Sequence, residues 1–350
     1  MKDELIQVKP APMDRKPLPA TPPPAILDYG ELCGAIIADA ADTYVCSIHP
    51  AAPNMLFHYT HADVPASILR TAELWGTHYA EMNDASEVIH LLELAREHHA
   101  DRIADFGPID GMLHYNTVSE AVTASLWATF NITHDHGKAP YIISLSRLDD
   151  DIQQWLAYAD GSRGACVGLD MTKIMFLLKG GTRLGNLGSK VQLLPVIYEE
   201  PEKESLHKII VERAMQCLRV AYTVNEDDAT RGLLIGTTAA SIQAALWFYG
   251  TLTKHRGFRS EREWRLVIHG PDKLPAEWGG EVGLRFEIID GRRRCLLGVN
   301  REAVFGVQAG PHARESDVFG GIHREHGERV AMPRSEIPFR LPKALMRSDE

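Results

Sequence analysis

The chain has 350 residues, 45% hydrophobic and 24% charged, enough apolar side chain for one large domain or two modest ones, with nothing collagen-like or coiled-coil about it. A formal charge of −10 argues against a general nucleic-acid binder, whose affinity would come from clustered Lys and Arg, and leaves open only a small or specific contact. The five cysteines, Cys33, Cys46, Cys166, Cys217 and Cys295, are far apart and show no C-x-x-C spacing, so neither a disulfide framework nor a thiolate zinc site is expected, and a reducing cytoplasm fits.

Residues 1–27 hold a dense run of prolines, from Pro10 to Pro24, and read as a disordered or semi-rigid leader ahead of a single α+β domain over 28–345. No apolar h-region follows the N-terminal charges, so export by the general route is not expected; delivery by a specialised secretion system stays open. In chain order, the patterns predict a helix around Ile36–Ala41, a strand over Met55–Tyr59 and a helix over Val64–Thr71 capped by Asp63. A strand over Glu73–Thr77 and a helix over about Ala85–Ala104 come next. Pro140 opens a strand through Ser146, Asp149 to Asp151 cap a helix carrying Trp155 and Tyr158, and the turn Asp160-Gly161-Ser162-Arg163-Gly164 leads into a strand over Ala165–Leu169. A helix over Met171–Leu178, a strand over Val191–Tyr198 and two long helices, Lys203–Ala221 and Leu233–Lys254, precede a last third of strands at Leu284–Ile289, Arg294–Leu297, Ala303–Val307 and Ile337–Arg340. The class is α+β, a mixed or antiparallel sheet with helices packed on it. The uncharged stretch Gly232–Thr253 is as long as a membrane span, but its Thr, Ser, Gln and Gly residues make it a buried core helix, and no membrane partner is expected.

The run from Lys254 to Ile268 drives a charged cluster into an apolar strand. Glu261 and Glu263 stand two apart; if the strand begins this early, both carboxylates share a face, with Trp264 turned away, able to orient a sugar hydroxyl and stabilise a developing cation. The competing reading is a solvated, salt-bridged strand entrance. His58 lies inside a short apolar strand, where a satisfied core histidine is the ordinary case, and Trp155 and Tyr158 at i and i+3 are core by default. Ser144 and Ser146 share a strand face, either a ligand wall or a polar sheet face. The glycine-rich segment Gly180–Lys190 lacks the Gly-Lys-Ser/Thr order and leads into a strand, so it reads as a loop, with a substrate lid the minority view. His98-His99 and His134-x-His136 lack supporting ligands, and no metal is expected.

Together Leu56-Phe57-His58-Tyr59, Leu74-Trp75-Gly76, Met82 to Glu87, Ile143 to Ser146, Gln154 to Gly164 and Lys254 to Arg265 resemble, over about residues 55 to 340, a bacterial family known only as domain of unknown function 2971. A weaker resemblance is to ADP-ribosyltransferases: a His-Tyr strand, then a serine-bearing strand, then a late strand entered through Glu-x-Glu. That resemblance implies NAD as substrate and no metal. It implies His58 as ribose ligand beside Tyr59, Ser144 or Ser146 as the nicotinamide pocket wall, and Glu263 or Glu261 as the catalytic acid. The activity it implies is that of an NAD-directed ADP-ribosyltransferase or NAD glycohydrolase, a toxin or defence effector acting on an unknown protein or nucleic-acid acceptor.

Two alternatives use the same chain differently. Asn83, Asp84, Glu87, Trp155, Tyr158, Arg163 and Arg265 converging on one pocket would make a sensor that binds a nucleotide or other small anionic ligand without turnover. A metal-dependent phosphodiester hydrolase would need an acid cluster such as Asp149-Asp150-Asp151, whose ordinary role is a helix cap.

Overall fold

A computed structural model of the chain describes residues 24–49, 52–82, 91, 94–95, 139–174, 191–225, 227–270, 284–322 and 330–338. The helix expected at Ala85–Ala104 falls almost wholly outside the described residues, as do Asn83, Asp84, Glu87, most of the expected helix Met171–Leu178, the loop Gly180–Lys190 and both histidine pairs.

Among the described residues the period-2 segments form one antiparallel sheet of nine strands. They are β1 (Met55–Thr60), β2 (Glu73–His78), β3 (Ala139–Ser146), β4 (Ala165–Asp170), β5 (Val191–Pro195), β6 (Glu263–Gly270), β7 (Leu284–Ile289), β8 (Arg292–Gly298) and β9 (Val304–Ala309). The class is therefore α+β with an antiparallel sheet. The strand expected at Ile337–Arg340 does not form over its described residues; instead this tail makes isolated bridges at Ala331 and Arg334 to β9, because Pro333 interrupts any ladder.

One strand organises the rest. β6 pairs with β3 along its whole length, from Ala139↔Gly270 to Ser146↔Glu263, and so occupies one edge of β3. The other edge is shared: β2 joins it at Ile142 and Tyr141, and β1 joins it at Ser146. Between those two contacts β1 and β2 part company, leaving a fork in the sheet at Ile143, Ser144 and Leu145. β1 continues the sheet outward through β4 to β9, and β2 continues it through β8 to β7.

The two faces are buried differently. On one, Leu56, Leu145, Trp264, Leu266, Ile268 and Val167 form the main core, closed by helix α2 (Val64–Thr71) and by Val318 and Phe319. Asp63 stands at the N-cap of α2 but makes no side-chain cap, and Pro65 in the first turn removes one of the N–H groups a cap would serve. The other face of β6 and β5 is covered by three long helices. Helix α1 (Pro24–Ile48) takes the last residues of the proline-rich stretch, and α4 (Glu200–Val224) and α5 (Asp228–Gly250) pack with it around Ile37, Leu206, Ile210, Leu246 and Tyr249; the short α3 (Ile152–Tyr158) precedes α4 in sequence. α5 contains the one segment among the described residues long and apolar enough to cross a membrane, Ala229–Gly250, and packs its Leu234, Ile242, Leu246 and Tyr249 against these neighbours.

Candidate functional site

The helical cover ends with α5 at Gly250, and beyond it the same face of β3 and β6 opens into a cleft of about 270 Å³ set over the fork. Residues i and i+2 of a strand share a face, so Ser144 and Ser146 from β3 and Glu263 and Arg265 from β6 line this cleft in register, Ser144 opposite Arg265 and Ser146 opposite Glu263. His58 and Tyr59 of β1, Tyr158 of α3, and Lys254 and Glu261 from the segment after α5 complete its inner wall. Trp75, Thr77, Glu81 and Arg292 line its outer part.

The two glutamates do not share a strand. A 3₁₀ turn, Arg256–Glu261, precedes β6, and Arg262 between them is left-handed at φ +45°. A non-glycine residue in that region costs about 1 kcal/mol or more. The kink throws Arg262 outward and lets both carboxylates meet one ammonium group: Lys254 Nζ lies 2.6 Å from Glu261 Oε2 and 3.3 Å from Glu263 Oε2. Arg265 donates to Glu263 through Nε at 2.8 Å and through a terminal nitrogen at 3.0 Å, and its other terminal nitrogen donates to the Thr251 carbonyl just past the end of α5. A guanidinium there also suits the negative end of the helix dipole. The Tyr158 hydroxyl donates to Glu261 Oε1 at 2.9 Å. Lys254, Glu261, Glu263 and Arg265 are all under 10% exposed, so the solvated strand entrance is overturned and the cluster is an internal network.

Environment separates the two acids. Burial alone would push Glu263 up, but Arg265, then Lys254 and a hydrogen bond from Ser144, more than offset it and hold its carboxyl down at about 2, ionised at neutral pH. Glu261 is pushed up from the usual carboxylate range by burial, which Lys254 opposes and Glu263 reinforces. His58 Nδ1 lies 3.0 Å from the Ser144 carbonyl oxygen. Since that oxygen can only accept, Nδ1 carries the proton; burial lowers the ring's pKa, so His58 is neutral and Nε2 is left as an acceptor. A strand residue's N–H and C=O point to the same side, so the Ser144 N–H lies on the forked edge as well.

Other expected residues are placed elsewhere. Trp155 is fully buried, edge-on to Tyr59 with ring centroids 4.9 Å apart, and donates from its indole N–H to Asp150 at 2.6 Å. It packs the cleft's floor from behind and has no face for a ligand. Arg163 sits in the turn after α3, 3.6 Å from Asp160. Asp151 accepts from the Gln153 and Gln154 N–H groups as a helix cap, and Asp150 serves Trp155, Ser335 and Glu336, so both acids are structurally employed. Tyr59 reaches the cleft with its ring, while its hydroxyl donates to Leu148 O and accepts from Asp151 N, each at 3.0 Å, fixing the loop between β3 and α3. Lys254 was missed as a site residue. Its signal is positional, as the first charge after the uncharged run Gly232–Thr253.

Part of the cleft falls within a stretch that matches a known family. Residues 154–266 match the family model described as Protein of unknown function (DUF2971). The matched span runs from Gln154 to Leu266 and so takes in Tyr158, Lys254, Glu261, Glu263 and Arg265. The His58 and Ser144 blocks lie upstream of the DUF2971 match and meet it only in the folded sheet. Comparison with curated proteins and with solved structures gives no significant match.

Proposed function

We propose that the cleft binds the nicotinamide-ribose end of NAD and promotes cleavage of the nicotinamide glycosidic bond, with transfer of ADP-ribose to an acceptor or to water. The observation that carries this reading is the meeting of His58, Ser144 and Glu263, from three strands, in one cleft. At about 270 Å³ the cleft is just below the ~300–1,000 Å³ of typical small-molecule sites, room for a nucleoside-sized end of a dinucleotide.

The chemistry follows from the electrostatics. As the C–N bond breaks, its electron pair leaves with neutral nicotinamide and positive charge develops on the ribose, where an ionised, immobile carboxylate such as Glu263 is worth most. His58, neutral with Nε2 as acceptor, would hold a ribose hydroxyl. The Ser144 N–H on the forked edge would donate to the carboxamide. Glu261, its affinity for protons raised, is suited to take the proton that the acceptor loses as it adds to the ribose.

A second reading is reversible nucleotide binding without turnover. It is favoured by one observation: the charge of Glu263 is already compensated by Arg265 and Lys254, which lessens what it can lend to a cation. Nicotinamide release from NAD separates the two. The transferase reading expects release by the wild type, indifferent to a chelator and lost in Glu263→Gln. Saturable NAD binding with no release by folded protein, even with cell lysate as acceptor source, would overturn it in favour of the binding module. Metal-dependent conversion of NAD to nicotinamide mononucleotide and AMP, with no free nicotinamide, would point to the hydrolase.

A further inference from the structure

A second cavity of about 400 Å³ lies behind the entrance to β6. Glu263 borders both cavities. Its carboxylate serves the first cleft, while on the other side its N–H donates to the Tyr198 hydroxyl and its carbonyl accepts from Val196 N, both at 3.0 Å. We propose that this second cavity binds a small organic anion carrying a phosphate group, held by Arg147, Arg262 and His49. The proposal does not depend on the NAD reading.

Three observations support it. Arg147 and Arg262 both line the cavity, and neither is ion-paired among the described residues, whereas the neighbouring Arg259 is held by Glu199 at 3.0 Å. The two free guanidiniums are rooted side by side, since Arg147 N donates to the Arg262 carbonyl at 3.3 Å. The left-handed backbone that gathers Glu261 and Glu263 on Lys254 is the same feature that turns Arg262 toward this side. Second, His49 lines the cavity with a buried Nε2 that has no hydrogen-bond partner among the described residues, a costly arrangement unless a ligand completes it. Third, the rest of the wall is Ile48, Pro195, Val196 and Trp264, apolar surface for an organic body.

The donors define the ligand class. Two planar guanidinium forks and an imidazole present more donors than one carboxylate can accept, and suit a tetrahedral, doubly charged oxyanion. Burial, and then the Arg147 charge, lower the His49 pKa, and an anion lodged between the two side chains would favour the protonated, donating imidazole. Glu199 and Glu202 on the same wall, and the chain's −10 charge, disfavour an extended polyanion. The cavity's volume falls in the ~300–1,000 Å³ range of ligand sites, the size for a mononucleotide or sugar phosphate.

The test is calorimetric titration of the full chain at low salt with AMP, inorganic pyrophosphate and adenosine. AMP and pyrophosphate are expected to bind at one saturable site and adenosine not to bind. Arg147→Ala with Arg262→Gly should weaken both by about tenfold or more. Both side chains are exposed, and glycine accepts φ +45° freely, so this variant keeps the fold. Tyr158→Phe, in the first cleft, should leave both affinities within about twofold. Absence of saturable binding, affinity retained by the arginine variant, or affinity lost in Tyr158→Phe would each overturn the proposal.

Discussion

Lys254 is the residue on which the site's charges turn. It stands 5% exposed between two carboxylates, so removing it strands negative charge away from water. Lys254→Met should cost about 3–5 kcal/mol in denaturant unfolding, the range for breaking a buried ion pair from one side. Adding Glu261→Gln to that variant should cost less than the sum of the two single changes, because the second removes a charge the first left unpaired. At this scale much of the site was legible. His58 among apolar neighbours, the Ser-x-Ser strand and the Glu-x-Glu entrance were visible as residue types at a spacing. Trp155 was legible as a core residue, but its place in a ligand pocket was not to be decided, since its i, i+3 partnership with Tyr158 reads alike whether the ring faces a ligand or, as here, Tyr59 and Asp150.

Among elements, the junction of β1 with the turn before β4 sets the width of the fork. A Cβ added at Gly164 would stand 2.1 Å from the Thr60 carbonyl oxygen, the last residue of β1 and one position past Tyr59. Gly164→Ala must therefore push β1 away from β4 at Thr60↔Ala165 and carry His58 and Tyr59 with it. The expected outcome is a loss of about 1–3 kcal/mol by thermal or denaturant unfolding, together with weakened ligand binding in the cleft. The strands themselves were foreseen nearly to their ends, because alternation and flanking turn residues are local signals. The fork was not, because nothing local tells a strand which neighbour shares its edge.

For the whole molecule, the buried network should be read out as acid sensitivity. Glu263 is held near 2 against an ordinary value of 4.5, so its contribution to stability is complete above about pH 4.5 and is lost as pH falls from there toward 2. His58, lowered from 6.5, adds an earlier loss once pH drops below that value, because the unfolded chain then takes up a proton the folded ring resists. Glu261, raised, works in the opposite direction and softens the decline. Urea midpoints measured across pH should fall in these two stages, with the lower stage flattened in Glu263→Gln. The sequence alone determined the α+β class, most element positions and the chemical types at the site, for these rest on local periodicity and side-chain identity. Only the tertiary structure decided that β1 and β2 part along one edge of β3, that Lys254 joins the two glutamates, and that Arg262 faces a separate cavity. Those depend on strand pairing between distant segments and on one left-handed residue, neither of which leaves a mark in the order of amino acids.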